Sequence, residues 1–297
     1  MSKKHIPIAV SDKIFYAVCR VLLVIVLLVT IYPLYFTVIA SVSDLNAILN
    51  GEVLLWPVGF SFLAYEKIFS YDMLLIGYRN SIFYALAGTF LSVLVTIVSA
   101  YALSVKFVGR RIVMLCIVFS MFFGGGLIPT YFTYKYIGLI NSVGVMIFPM
   151  VFNAYNLIMT RTFVSGIPYE MYEAAEIDGC SHFRYLVYVV IPLSTVIIAV
   201  ISLFCTVSQW NSYFNAMMFI NDKKLYPLQL VLRDVLILNS ISTSDRLEDP
   251  IVAAQLNQMK ELMKYSMIIV SMLPMMILYP FLQRYFVKGI MIGSVKG

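Results

Sequence analysis

The sequence predicts an all-α membrane protein that crosses the bilayer six times, and three observations support this fold class. Of its 297 residues, 61% are hydrophobic and 12% are charged, whereas a soluble domain carries about 25% charged residues to solvate its surface. Six apolar segments are long enough to span the hydrocarbon core as helices, which takes about 20 residues. None of the six segments alternates with the period of two expected of membrane-barrel strands.

The six predicted spans alternate with more polar connections. The first span contains one charged residue, Arg20, and the other five contain none. The first span is too long for the apolar region of a cleavable signal, about 7–15 residues, so we expect it to be a transmembrane helix. The predicted spans are Ile14–Ala40, Asn80–Ser104, Ile112–Thr130, Tyr136–Thr160, Tyr185–Trp210 and Tyr265–Gln283.

The distribution of Lys and Arg predicts the orientation in the membrane. Basic residues cluster near both termini and between the second and third spans, which lie on one side of a six-span protein. Because Lys and Arg concentrate in cytoplasmic loops, we expect both termini in the cytoplasm. The predicted parts are 1–13 as the cytoplasmic N-terminus, 14–40 as the first transmembrane helix, 41–77 as an extracellular loop, 78–285 as a five-helix core, and 286–297 as a cytoplasmic tail.

Charge and motif content argue against several classes of function. The net charge of +6 comes from short basic clusters between apolar runs, which is typical of topology signals and not of a nucleic-acid surface. The four cysteines show no metal-ligand or disulfide spacing, so we expect neither. The chain also lacks the G-x-x-x-x-G-K-[ST] phosphate loop. We therefore predict no catalytic residue, no metal and no cofactor in this chain.

The connection between the fourth and fifth spans is acidic on an otherwise basic side of the membrane, and its local sequence predicts a short helix. Pro168 suits the first turn of a helix, where its missing N–H is not needed. Gly179 suits the left-handed position just past the helix end. Its acidic residues are Glu170, Glu173, Glu176 and Asp178.

Small and acidic residues on this helix predict a docking element. Ala174 and Ala175 allow another surface to approach the backbone closely, and Glu173 offers a charge for pairing. A short helix of this kind suits a groove on another protein. An ordinary amphipathic connector is the alternative interpretation.

The same residues carry a family resemblance. Glu173-Ala174-Ala175, then three residues, Gly179, nine residues and Val189-Val190-Ile191-Pro192 resemble the EAA motif of ABC importer permeases, E-A-A, three residues, G, nine residues, I-x-L-P. Val189 and Ile191 are conservative departures from that pattern. The resemblance implies a type I importer (MetI-like) permease fold, with 78–285 as its permease core and five helices around the EAA loop.

The resemblance also implies partners and roles. In this family the short helix is the coupling helix, seated in a cleft of an ATPase subunit, and ATP-Mg is bound by those subunits alone. The expected partners are a second permease subunit, two ABC ATPase subunits, an extracellular lipid-anchored solute-binding protein and membrane lipid, without nucleic acid. The expected ATPase-coupling residues are Glu173, Ala174, Ala175, Asp178, Gly179 and Pro192.

Two further segments resemble carbohydrate permeases. The end of the chain resembles the G-x-V-K-G tail of maltose-type (MalG-like) sugar permeases, which inserts between the ATPases; a basic terminus without that role is the alternative. The segment Phe123–Tyr131 resembles F-S-G-G-L-I-P-T-Y of the LplC/YtcP-like branch, and its glycines suit either close helix packing or a pathway. The expected ATPase-contacting tail residues are Gly293, Val295, Lys296 and Gly297.

Spans almost free of charge favour a neutral, bulky solute over an ion. The resemblances of the tail and of the glycine segment imply a carbohydrate, and the expected substrate is an oligosaccharide. A permease for amino acids, peptides or phosphate, an ion-driven carrier, and a membrane scaffold or sensor are the alternatives. The connection 211–264 corresponds to the loop that faces the sugar-binding protein in maltose-type permeases. An aromatic and amide cluster is a candidate solute pathway, with an interfacial aromatic belt as the alternative: Gln209, Trp210, Asn211, Tyr213 and Asn215.

Overall fold

A computed structural model of the protein describes residues 10–235, 261 and 263–280, and every regular element within them is helical. Short non-α turns of helix occur at Phe148–Met150, Leu186–Val190 and Lys223–Leu225. The α-helices are α1 Val10–Ser41, α2 Leu45–Leu49, α3 Leu63–Phe69, α4 Asp72–Ser104, α5 Arg110–Phe122, α6 Leu127–Tyr136, α7 Gly144–Ile147, α8 Ala154–Val164, α9 Tyr169–Ile177, α10 His182–Tyr185, α11 Ile191–Leu193, α12 Thr195–Trp210, α13 Phe214–Phe219, α14 Leu228–Arg233 and α15 Met263–Pro280.

The predicted all-helical class is confirmed for the described residues, but the count of six spans is not. Within the described ranges, α1, α4 and α15 are each long and apolar enough to cross a membrane. Two bent pairs raise the count to five if each is one span: α5 with α6, bent by 117°, and His182–Leu193 with α12, bent by 81°.

The fourth predicted span, Tyr136–Thr160, is wrong as a continuous helix. Gly138 and Asn141 have φ of +73° and +57°, a left-handed conformation that stops a right-handed helix. Helix resumes at α7 and is interrupted again before α8. Irregular backbone at membrane depth must be buried in protein or line a cavity, so we expect this break to do one or the other.

The glycine segment breaks the third predicted span. Residues 123–126 separate α5 from α6, and Gly126 has φ +80° and ψ 175°, a conformation that is essentially restricted to glycine. A Cβ added at Gly124 or Gly126 would meet no described atom within 4 Å. Gly126 therefore bends the backbone, and neither glycine makes a close helix contact within the described chain.

The chain contains two compact units, of which the first comprises residues 1–70 and 238–270. Its helix α1 has no buried side chain in its most apolar stretch, which suits contact with lipid. The segment after α1 folds back on its end: the Tyr32 hydroxyl donates to the Leu54 carbonyl (3.3 Å), and the Ser41 and Tyr65 hydroxyls lie 2.8 Å apart. These contacts fix the connection between α1 and α3.

The second unit comprises residues 71–237 and 271–297, and within it α4 packs against α8, α12 and α14. Polar side chains of α4 hold the segment before α14. Asn80 Nδ2 donates to the carbonyls of Lys224 (2.7 Å) and Tyr226 (3.0 Å), and the Tyr84 hydroxyl donates to the Leu225 carbonyl (2.9 Å). These three hydrogen bonds fix residues 224–226 against the N-terminal half of α4.

Asn141 ties the break in the fourth segment to the end of α13. Its N–H donates to the Phe219 carbonyl (2.8 Å), and its Oδ1 accepts from the N–H groups of Asn221 (2.9 Å) and Asp222 (2.8 Å). Asparagine tolerates the left-handed conformation better than other residues with a Cβ. Asn141 therefore both interrupts the helix, through its left-handed backbone, and connects this interruption to the chain after α13, through its hydrogen bonds.

Asn141→Ala should lower the free energy of unfolding by about 3 kcal/mol, because it loses two hydrogen bonds of about 1 kcal/mol each and adds left-handed strain of ~1–2 kcal/mol. Thermal unfolding of the purified protein in detergent measures the change. Asn50→Ala is the matched control, since Asn50 is exposed and has φ −78°. Equal unfolding temperatures for the two variants would contradict the role of Asn141.

Candidate functional site

Helix α9 forms where the sequence predicts it, between α8 and α10. Pro168 precedes its first residue, one position earlier than the first-turn placement expected, because its extended ψ of 134° leads the chain into the helix. The predicted left-handed glycine is confirmed: Gly179 has φ +70°. Gly179 N–H donates to the Glu176 carbonyl (3.0 Å) and Cys180 N–H to the Ala175 carbonyl (2.9 Å). These are the two hydrogen bonds of a Schellman motif, which ends a helix.

Two faces of α9 have different surroundings. Glu170, Glu173, Ala174 and Ile177 are all exposed and share one stripe at i, i+3, i+4 and i+7; we name these four residues the docking face. Ile177 is an apolar side chain that is 87% exposed. Ala175, predicted to lie against a partner, is half-buried in the chain's own apolar core. Of the alanine pair, Ala174 is exposed and Ala175 is half-buried.

Four rings clamp the opposite side of α9 to the spans; we name Tyr101, Tyr172, His182 and Tyr185 the aromatic clamp. The Tyr101 hydroxyl lies 2.8 Å from His182 Nδ1. The rings of Tyr172 and His182 stack at 5.4 Å between centroids, and Tyr172 meets Tyr185 edge to face at 5.2 Å. Since Tyr101 belongs to α4, α9 is connected to that long helix through the rings of His182 and Tyr185.

The carboxylates of α9 form no ion pair with the described residues, so they can pair with a cation of another protein. The ion pairs in the described part of the chain are Arg233–Asp234 and Lys264–Glu261, and neither involves α9. Desolvation against the clamp, and then the Glu176 carboxylate, raise the pKa of the Tyr172 phenol above its ordinary value of 10. Tyr172 therefore remains a neutral ring at physiological pH, while the carboxylates of the docking face form no ion pair with any described residue.

The segment after α9 bends at the proline of the motif. Pro192 lies in α11, between the widened helical turn Leu186–Val190 and the 81° bend before α12. A proline has no N–H to donate to the preceding helical turn. Widened turns like Leu186–Val190 are frequent at functional sites. Leu186 and Val190 pack in the same apolar core as the aromatic clamp residue Tyr185. Pro192 thus joins the clamped region to α12.

A second candidate site is a cavity of about 270 Å³ in the second unit. It lies between α4, α12 and the break that precedes α8. The Gln209 side chain is 3% exposed, and neither its Oε1 nor its Nε2 has a hydrogen-bond partner in the described chain. The lining residues are Gly88, Pro149, Met150, Phe152, Asn153, Tyr155, Asn156, Phe204, Cys205, Ser208 and Gln209.

Of the residues predicted for the solute pathway, only Gln209 lines this cavity. Trp210 is 2% exposed, and its Nε1 donates to the Ser271 carbonyl at 3.2 Å, so it serves packing. Asn211 donates to the Val207 carbonyl of its own helix. Tyr213 is exposed and Asn215 is half-buried, both outside the lining.

Sequence reasoning missed Gly88, Asn153 and Asn156, all of which line the cavity. Asn153 caps α8 by accepting from Asn156 N–H at 3.0 Å, and Asn156 Nδ2 lies 3.6 Å from the Cys205 sulfur. Asn before a helix is a recognisable cap signal. The approach of Gly88 to Gln209 has no local signal, because the two residues lie on different helices.

Other predicted site residues lie outside the described chain. Gly293, Val295, Lys296 and Gly297 belong to the tail and fall in residues 281–297. The predicted loop 211–264 is described as far as residue 235, and again at 261, 263 and 264. Its described part contains α13 and α14.

The long apolar helices define a multi-pass membrane component in which α9 leaves one acidic face exposed. The chain matches the family of binding-protein-dependent transport system inner membrane components over residues 92–292. It therefore belongs to that family and has its MetI-like permease fold, which confirms the resemblance based on the EAA motif.

Individual relatives are similar over most of their length. The chain is 35% identical over 271 residues to the polygalacturonan/rhamnogalacturonan transport system permease protein YtcP of Bacillus subtilis (strain 168), covering 91% of this chain and 94% of that protein. It is 36% identical over 272 residues to protein LplC of the same organism, covering 91% and 90%. The predicted resemblance to the LplC/YtcP-like branch is confirmed.

A solved structure has the same fold. It is the structure of a bacterial ABC transporter involved in the import of the acidic polysaccharide alginate. One of its chains matches with a TM-score of 0.84 and 31% sequence identity, covering 95% of this chain and 100% of that chain.

Proposed function

We propose that this chain is the permease subunit of an ATP-driven importer that carries an oligosaccharide across the cytoplasmic membrane. The observation that carries the proposal is α9, a short helix with an exposed acidic stripe and a clamped opposite face, at the position of the EAA motif. A helix with one free face and one fixed face suits docking into a groove and transmission of movement.

The proposed assembly pairs this chain with a second permease subunit, two ATPase subunits and an extracellular lipid-anchored binding protein. α9 docks on an ATPase, so both termini are cytoplasmic in this arrangement. An even number of crossings before and after α9 places the termini and α9 on the same side, and the six predicted spans provide four before it and two after it. ATP binding closes the ATPases, α9 moves, and α4 and α12 shift so that the pathway opens outward; hydrolysis resets it.

The solute class rests on relatives and on the spans. A relative is named for polygalacturonan and rhamnogalacturonan transport, and the matching structure concerns alginate import. The predicted spans hold Arg20 as their single charge, and ion-coupled carriers usually keep an ionisable group at mid-membrane. These features favour a carbohydrate over an amino acid or an ion.

Uptake into proteoliposomes that contain the complete complex tests the proposal. We expect internal ATP to drive uptake of oligosaccharides such as maltotetraose or methyl-esterified tetragalacturonate, with no uptake of amino acids or dipeptides. An ATPase variant that binds but does not hydrolyse ATP is the control. Uptake driven by an ion gradient without ATP, or selective uptake of amino acids, would overturn the proposal.

A further inference from the structure

Gln209 carries a buried amide that the fold leaves unsatisfied. Both polar atoms of the side chain lack a hydrogen-bond partner in the described ranges, although the residue is 97% buried. Buried polar groups in native proteins are nearly always paired, so an exception requires an explanation. The explanation lies next to it, because Gln209 and Gly88 both line the cavity.

Gly88 lets the amide lie against the backbone of α4. A Cβ at this position would lie 2.3 Å from Gln209 Nε2 and 2.8 Å from its Cδ. One side of the amide is closed by α4, and neither polar atom has appreciable accessible surface, so a ligand in the cavity can pair with the amide only after the Gln209 side chain rotates toward it.

Other walls of the cavity supply the remaining contacts a sugar residue needs. Asn153 uses its Oδ1 to cap α8, which leaves its Nδ2 without a partner among the described residues. Ser208 adds a hydroxyl. Tyr155 and Phe204 are both exposed and line the same space. Apolar and aromatic walls with a few fixed polar groups characterise small-molecule sites.

The cavity is uncharged. None of its lining residues is Lys, Arg, Asp or Glu. A carboxylate that entered this space would lose its hydration without meeting a cation, which is strongly unfavourable. Sugar hydroxyls, in contrast, replace the waters that such a polar cavity holds.

We propose that this cavity is a solute subsite of the chain that binds an uncharged sugar residue, with the Gln209 amide pairing to a sugar hydroxyl. The inference rests on the proposed function and deepens it. It separates this chain from relatives whose names refer to acidic polysaccharides. At about 270 Å³, close to the lower limit of ~300 Å³ for ligand pockets, the space suits one residue of a longer chain.

Equilibrium binding to the complete complex, held in its ATP-bound state by the non-hydrolysing ATPase, tests the subsite. The probes are tetragalacturonate and its fully methyl-esterified form, which differ in charge, together with maltotetraose. We expect the ester to bind at least tenfold more tightly than the acid. Gln209→Met should weaken binding of the ester about three- to tenfold, the effect of one neutral hydrogen bond.

Gln229→Met is the matched control, since Gln229 is half-buried in α14 and lies outside the cavity lining. We expect it to bind the ester as the wild type does. Gln209→Met should not lower the melting temperature, because it removes an unpaired amide while keeping the side-chain volume.

The outcomes separate the two proposals. Tighter binding of the acid than of its ester, equal binding by Gln209→Met and wild type, or a lowered melting temperature of Gln209→Met would overturn the subsite, while a carbohydrate importer would stand. If the wild-type complex binds none of the three probes but takes up an amino acid or a peptide, the carbohydrate function itself is wrong.

Discussion

Glu173→Lys should reduce solute-stimulated ATP hydrolysis and uptake about 30-fold or more in the reconstituted complex. Glu173 is exposed on the docking face and has no ion-pair partner in the described chain, so its charge is available to a partner. Truncating one member of a buried interfacial charge pair costs about 2–5 kcal/mol, and reversing its sign adds repulsion. Each 1.4 kcal/mol corresponds to a tenfold change.

Two variants of the same helix sharpen this experiment. Glu173→Gln keeps the shape and removes the charge, so its effect should be intermediate. Glu176→Lys makes the same charge reversal outside the docking face, where we expect a smaller loss. Basal ATP hydrolysis of the ATPase subunits should persist in all three, because the catalytic machinery lies in those subunits.

Because the aromatic clamp does not involve Glu173, we expect Glu173→Lys to impair coupling to the ATPase and not folding. Tyr172 and His182 hold α9 to Tyr101 of α4, and none of these contacts involves Glu173. The variant should therefore fold and insert normally and lose only the contact with the ATPase. If Glu173→Lys retains full stimulated ATP hydrolysis and uptake, α9 is not the coupling element.

Local signals in the sequence predicted α9 well. Gly179 lies at the left-handed position expected of it, because the end of a short helix is determined by a few neighbouring residues. The start was misplaced by one residue, since Pro168 serves equally well before a helix and within its first turn. The partial burial of Ala175 was not predicted, because which face of a helix is buried depends on distant residues such as those of the clamp.

The breaks in the spans were harder to predict. Hydropathy measures how apolar a segment is and does not detect a bend within it, so Tyr136–Thr160 was predicted as one helix. Gly138 and Pro149 were visible signals for interruption, but a membrane helix often tolerates both residues. The left-handed Asn141 depends on its bonds to the segment after α13, which no local pattern contains.

The candidate solute pathway illustrates the same limit. Gln209 and Trp210 are adjacent in sequence and were predicted together, yet consecutive residues of a helix point about 100° apart. In the structure Gln209 lines the cavity, whereas Trp210 Nε1 donates a hydrogen bond to the Ser271 carbonyl. Identifying the cavity requires the packing of α4 on α12, where Thr89 and Thr206 approach to 3.0 Å.

Gly88→Leu should reduce oligosaccharide uptake more than tenfold while most of the protein remains folded. The new side chain would begin 2.3 Å from Gln209 Nε2, displace the amide and extend into the space that the solute needs. Because the nearest atoms belong to the end of a flexible side chain, the overpacking cost should stay near the lower end of ~1–3 kcal/mol. Uptake assays and thermal unfolding of the same preparation separate the two effects.

Gly77→Leu makes the same substitution on the same helix where the fold is less able to adapt. A Cβ at Gly77 would lie 3.0 Å from Leu228 Cα and 3.2 Å from its N, and these backbone atoms cannot move aside independently of α14. We expect Gly77→Leu to lower the melting temperature more than Gly88→Leu, with uptake reduced in proportion to the folded protein that remains. Gly88→Ala should be milder than Gly88→Leu, since Gln209 can rotate away from a single methyl group. If Gly88→Leu lost uptake only in proportion to its loss of folded protein, Gly88 would serve the packing of α4 on α12 and not the binding of solute.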